Sequence, residues 1–134
     1  MASLHKEIFI AAPRAAVWDA IRDIGALHTR LVPGFVVATQ LEGEARVVTF
    51  GNGMVMREPI LSVDDERCRL AWGAKDSAME HYNAVMQVFA DGAGSRVTWI
   101  SDLLPHEMAA QIGEMQDQGL AVMKQTLEAS TRRV

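Results

Sequence analysis

The sequence predicts an α+β fold: a curved antiparallel sheet with one long C-terminal helix lying across it. Three observations predict it. A strand-like segment near the start is followed by two short stretches of helical periodicity. From Gly34 onward, apolar and β-branched segments alternate with turn residues at fairly even intervals, which is the pattern of consecutive strands. Finally, Met108, Ile112, Met115, Gly119, Val122 and Leu127 follow the three-four spacing of a single helical face.

Each element can be justified in turn. Leu4 to Ile10 reads as a strand with Leu4, Ile8 and Ile10 on one face, stopping at Ala12-Pro13. Proline suits the first turn of a helix, where its missing N–H has no partner to lose. Val17, Trp18 and Ile21 then place a short amphipathic helix over Pro13 to about Arg22. Asp23 is placed to cap a second short helix reaching about Arg30, with Leu27 and Leu31 inward and Pro33-Gly34 ending it. Strands follow over Phe35–Leu41, Arg46–Phe50, Met54–Val63, a segment around Cys68–Trp72, Met79–Phe89 and Arg96–Leu104. Asn52-Gly53 predicts a type I′ hairpin turn, and Gly73 to Ala78 a polar loop. A helix from Pro105 to about Ala129 would be roughly 37 Å long at ~1.5 Å per residue, and the sheet is the large partner available for its apolar stripe.

At 134 residues, with 49% hydrophobic and 22% charged, the chain has globular composition and is expected to form a single domain over 1–134. The formal charge of −4 is scattered, and only Arg132-Arg133 sit side by side, which argues against nucleic acid as a partner. No apolar run approaches the ~20 residues of a membrane span, so no membrane insertion is expected. Cys68 is the one cysteine, the N-terminus lacks a signal-peptide pattern and the C-terminus lacks a lipidation motif. A reducing, cytoplasmic setting is the default expectation. No cofactor and no metal are expected: the four His are widely spread, without ligand spacing on a helix. Nucleophile elbow, phosphate loop and dinucleotide fingerprint are likewise missing from the sequence.

Several stretches carry a resemblance. Ile10-Ala11-Ala12-Pro13 leading to Val17-Trp18, then Pro33-Gly34, are one part of it. Arg57-Glu58, Asp64-Asp65 and Leu70-x-Trp72 are the middle part. Tyr82-x-Ala84, Gly94 to Trp99, and Gly119-Leu120 with Met123-Lys124 and Leu127-Glu128 complete it. In order and spacing these resemble the START-like (SRPBCC) superfamily, which includes polyketide cyclase/dehydrase-like proteins and the birch-pollen-allergen fold. The resemblance spans nearly the whole chain. It implies a helix-grip fold, a curved seven-stranded antiparallel sheet with two short helices and a long C-terminal helix enclosing a cavity. Relatives hold sterols, lipids, polyketides or plant hormones there, while the shared scaffold constrains function poorly.

Candidate pocket residues follow from strand parity. Trp72 and Trp99 share faces with Leu70 and Val97, and either stack on a ligand ring or serve as core aromatics. Glu58 shares parity with Met54, Met56 and Ile60, which makes it a weak candidate catalytic carboxylate or, paired with Arg57 or Arg69, half of an ion pair. Tyr82, in step with Ala84 and Met86, is placed inward, and its neighbour His81 outward. On the long helix Met115, Gln118 and Gln111 lie close to the inward stripe. His28 and Arg30 sit near the expected cavity mouth, where Arg30 either receives an anionic group or is a solvated charge. Asp102 and His106 bracket Pro105 and could pair, and Cys68 reads as a buried, inert thiol.

The leading expectation is a carrier or sensor that binds a small hydrophobic molecule through Met56, Glu58, Trp72, Tyr82, Met86, Trp99, Met115 and Gln118, acting as a monomer or homodimer. The second is a cyclase or dehydratase on a polyketide-like carbonyl substrate, with Glu58 or a His moving the proton. The third is a protein-interaction module using an apolar patch around Phe35.

Overall fold

In the computed structural model, residues 1–75 and 78–132 are described. The expected polar loop thus lies partly outside the described residues, at Asp76 and Ser77, as do Arg133 and Val134 at the C-terminus. Strand β1 (Ala2–Ile10) leads into helix α1 (Arg14–Arg22) and a π-helical turn (Leu27–Leu31). Six more strands follow: β2 (Val36–Glu42), β3 (Ala45–Phe50), β4 (Val55–Asp64), β5 (Arg69–Gly73), β6 (His81–Asp91) and β7 (Gly94–Leu104). A 3-10 turn (His106–Met108) then opens helix α2 (Ala109–Arg132).

The seven strands form one antiparallel sheet in the order β1-β7-β6-β5-β4-β3-β2. Its concave face receives α2, which at 24 residues is about 36 Å long. This is the helix-grip arrangement. Alternation along β6 shows how the sequence sets the face: Tyr82, Ala84, Met86 and Val88 are buried, and the residues between them less so. Each large apolar side chain buried in this way contributes about 1.5–3 kcal/mol. Polar contacts then fix the helices. Lys124 Nζ donates to the Phe9 carbonyl at 2.7 Å, and the Ala11 N–H to Glu128 Oε2 at 2.8 Å, which ties α2 to the end of β1. Asp65, in the β4–β5 turn, accepts from Trp18 Nε1 at 3.0 Å and Arg22 Nε at 2.7 Å, which ties α1 to the sheet.

Four local expectations are corrected. Asp23 follows α1 as its C-terminal boundary and does not cap the next element, because its carboxylate is engaged by Arg30 Nη1 at 2.9 Å. The second short helix is accordingly a five-residue π turn. At the β3–β4 hairpin, Gly53 N–H donates to the Phe50 carbonyl and Phe50 N–H to the Met54 carbonyl, both at 2.8–2.9 Å. Only Gly53, at φ 91°, takes a positive φ there, so the turn has the bulged form with a left-handed glycine at its end rather than type I′. Cys68 is buried, but its φ of 51° places it in the turn before β5 and not in the strand.

Candidate functional site: a cavity with one polar wall

Between the concave face and α2 lies a cavity of about 90 Å³. Its wall is mostly apolar, and five of the chain's eight methionines (Met56, Met79, Met86, Met115 and Met123) contribute to it. Unbranched thioether side chains repack at little cost, so this wall can widen around an occupant. Trp72 and Trp99 stand side by side in it, ring centroids 5.9 Å apart and planes tilted by 50°. Strand register explains their meeting: Trp72 pairs with Ala84 and Trp99 with Met86 on the two sides of β6, both directed to the concave face.

Polar side chains form one part of this wall. Arg46 and Glu58 are register partners across β3 and β4, and both point into the interior, 3% and 6% exposed. Arg46 Nε donates to Glu58 Oε1 at 2.8 Å, and Nη1 reaches the Ile24 carbonyl at 3.4 Å. The guanidinium also lies over the Trp72 ring, 5.4 Å from its centroid. Burial pushes the Glu58 carboxyl above its ordinary range, and the neighbouring Arg46 charge and hydrogen bond oppose that shift.

A second polar group lies beside the first. Gln116, 2% exposed on α2, donates from Nε2 to the Tyr82 hydroxyl at 3.1 Å and to Ser101 Oγ at 2.9 Å. Burial is the main cause that pushes the Tyr82 phenol up to about 12, and the Glu58 charge adds to it while the Gln116 hydrogen bond opposes it. The Trp99 indole N–H lies near enough to act on that phenol, yet it has no hydrogen-bond partner of acceptable geometry. Gln116 Oε1 also has none.

Of the residues singled out from sequence, Met56, Glu58, Trp72, Tyr82, Met86, Trp99 and Met115 line this cavity. Gln118 does not. It is exposed and borders a shallow outer groove with Gly34, Asn52 and Val122. The inward stripe of α2 runs through Ile112, Gln116, Leu120, Met123 and Leu127, and at ~100° per residue position 118 falls on the far side of it. The stripe expected from sequence lies one flank too far round: it takes in the exposed Gln111 and omits Gln116 and Met123. Glu58 pairs with neither Arg57 nor Arg69. Arg57 alternates to the opposite face, where its Nε meets Glu42 at 3.2 Å. The type I′ turn expected at Asn52-Gly53 would set Val47 opposite Glu58; the bulged turn, which pairs Phe50 with Met54, sets Arg46 there instead.

The remaining candidates are engaged elsewhere. Arg30 is held by Asp19 at 2.7 Å and Asp23 at 2.9 Å, so its charge is already neutralised. His28 Nδ1 meets Thr39 Oγ1 at 3.2 Å. Asp102 accepts from Ser3 Oγ at 2.6 Å and Asn83 Nδ2 at 3.4 Å, and forms no pair with His106. His81 is exposed, with Nε2 2.6 Å from Asn83 Oδ1. Phe35 packs edge-on against Phe50 with centroids 5.6 Å apart and is partly buried against the core. Among the described residues no group of three or more His, Cys, Asp or Glu is placed to hold a metal ion, and no helix is long and apolar enough to cross a membrane.

No curated protein matches the chain in sequence. Solved structures do match its shape. A protein from Thermobifida fusca is 27% identical, with 99% of this chain and 95% of that one covered at a TM-score of 0.76. Ara h 8.0201 is 15% identical over 96% of this chain and 98% of its own, also at 0.76. Norcoclaurine synthase from Thalictrum flavum is 18% identical over 99% and 87%, at 0.72. The model of one sequence family, described as polyketide cyclase / dehydrase and lipid transport, matches residues 1–128. With that match across nearly its whole length, and with the helix-grip fold around a cavity, the chain belongs to the polyketide cyclase/dehydrase and lipid transport family within the START-like (SRPBCC) superfamily.

Proposed function

We propose that this protein binds a small hydrophobic molecule in its internal cavity, as a carrier or sensor, through one ligand-binding unit spanning 1–134. The observation that carries the reading is the cavity itself, an apolar chamber with two adjacent tryptophans and a flexible methionine lining inside a protein core. Cores are ordinarily close-packed, and leaving such space unfilled costs stability, so a retained chamber points to an occupant. Trp72 and Trp99 supply aromatic faces for a ring, and the methionines adapt to its outline. The test is to denature the purified protein, extract it and identify apolar compounds by mass spectrometry, alongside a titration with naphthalene followed by tryptophan fluorescence. A stoichiometric compound or saturable quenching supports the reading; neither of them sinks it.

A cyclase or dehydratase is the second reading, and the buried Glu58 with its raised carboxyl pKa favours it. The Arg46 hydrogen bond weighs on the other side, because it holds that carboxylate in an ion pair rather than leaving it free to move protons. Binding without chemistry is therefore the stronger of the two.

A further inference from the structure

We infer that the cavity selects a ring compound with a lactam edge, whose carbonyl oxygen accepts from Trp99 Nε1–H and whose N–H donates to Gln116 Oε1. This rests on the cavity-binding reading above and names the chemical class of the ligand. Trp99 Nε1 and Gln116 Oε1 are buried side-chain atoms without a hydrogen-bond partner, and both residues line the chamber. Buried polar groups are ordinarily paired, because each unpaired one carries its own desolvation cost. An occupant that supplies both partners recovers that cost as affinity.

One cluster brings the two atoms together. Trp99 and Ser101 stand two residues apart on β7 and so share its concave face. Gln116, 2% exposed on α2, spends both N–H groups of Nε2 there, on Ser101 Oγ at 2.9 Å and on the Tyr82 hydroxyl at 3.1 Å. Its carbonyl oxygen is what remains. Turning the amide round would strand two N–H donors in place of one acceptor, which favours the orientation seen. An indole nitrogen only donates, so the wall presents one donor and one acceptor on separate side chains. A ketone, lactone or carboxylate answers the donor alone and sets an electron-rich oxygen against Gln116 Oε1. A secondary amide answers both, and closing it into a ring points its N–H and C=O toward the same wall.

Calorimetric titration of the whole protein with 2-quinolinone, coumarin and naphthalene at neutral pH tests this. The three share a fused-ring outline; the lactam and the lactone also share a carbonyl and differ in whether N–H or oxygen stands beside it. The order is demanding, because the lactam is the more strongly hydrated of that pair and burial alone would favour coumarin. We expect 2-quinolinone to bind at least about tenfold more tightly than coumarin, since a site built to pair an N–H rejects the analogue lacking it. Gln116→Met keeps the length of the side chain and removes the amide, and should abolish that preference by weakening the lactam alone. Trp99→Phe keeps an aromatic ring and removes the N–H, and should weaken lactam and lactone by the same factor relative to naphthalene. Coumarin binding as tightly as 2-quinolinone to the unaltered protein overturns the lactam assignment and leaves cavity binding standing, a comparison that decides the matter even where a variant misfolds. A lactam preference that survives in folded Gln116→Met overturns the role of Gln116. Carbonyl compounds that lose nothing against naphthalene in folded Trp99→Phe overturn that of Trp99. Failure of all three compounds to bind overturns both this inference and the reading beneath it.

Discussion

Arg46 and Glu58 face each other across two neighbouring strands, 2.8 Å apart and almost wholly withdrawn from solvent, in the wall of an otherwise apolar chamber. Taking two such charges out of water is expensive, and their attraction repays it only while both are present. Arg46→Ala or Glu58→Ala should therefore each cost about 3–5 kcal/mol, whereas the apolar double replacement should lie within about 1–2 kcal/mol of the parent or above it. Urea unfolding of the four proteins checks this. Single substitutions as mild as ordinary surface changes would show that water reaches the pair freely.

The pH dependence of this pair has a definite sign. Burial raises the carboxyl pKa of Glu58 in the folded protein above its unfolded value. The stability linked to it is fully present below the unfolded pKa, about 4.3, and is lost as pH rises through the higher folded value. Glu58→Gln imitates the protonated acid and does not titrate. The parent should thus lose stability relative to Glu58→Gln as pH rises above about 4.3, with the difference levelling off once Glu58 has ionised. Paired unfolding curves from acid to neutral pH measure that difference. A gap that widens in the opposite direction would mean that Arg46 outweighs burial.

Tyr82 is the chain's only tyrosine, so its ionisation can be followed by ultraviolet absorbance without interference from another phenol. It should titrate at about 12 rather than at the ordinary 10.0. The phenol's raised pKa contributes stability that is complete below the unfolded value and disappears as pH rises through the folded one. Tyr82→Phe leaves Gln116 Nε2 with Ser101 as its sole partner, and should cost about 1–2 kcal/mol in urea unfolding. A phenol that ionises at its ordinary value would place its hydroxyl in water.

The sheet was legible in the sequence because alternation and turn residues act locally. Tyr82, Ala84 and Met86 had to share a face whatever the rest of the chain did. The long helix was equally plain, but its rotation was not. A stripe defined by Met108, Met115 and Val122 omits Gln116, since a glutamine is unremarkable in sequence and becomes functional only when Tyr82 and Ser101 come from two strands to meet it. Arg46 was missed for a related reason. A lone arginine in a strand reads as a surface residue until pairing sets Glu58 opposite it. The polar wall is thus a product of register and helix rotation, which depend on contacts between distant parts of the chain. Asp65 belongs to the same class: an acidic turn residue by sequence, it accepts from Trp18 and Arg22 of the first helix once the sheet has curved.

Two glycines of α2 separate stability from cavity volume. A Cβ on Gly119 would come within 3.1 Å of Phe35 Cε2, 3.3 Å of its Cζ and 3.5 Å of Trp99 Cζ3, directly in the cavity wall. Gly119→Met should therefore fill the chamber and weaken naphthalene binding by at least about tenfold. Its fold should survive, because the overpacking cost of about 1–3 kcal/mol is partly offset by the roughly 1 kcal/mol gained when glycine leaves a helix interior. A Cβ on Gly113 meets Lys6 Nζ at 3.6 Å and Leu4 Cδ2 at 3.7 Å, which is ordinary contact outside the chamber. Gly113→Ala should accordingly add about 0.5–1 kcal/mol to stability and leave binding unchanged. Calorimetric titrations and unfolding curves of the two variants check both halves. Binding that survives in Gly119→Met would move the occupied space away from Phe35 and Trp99, because a side chain inserted between those rings leaves no room for a ligand ring beside them.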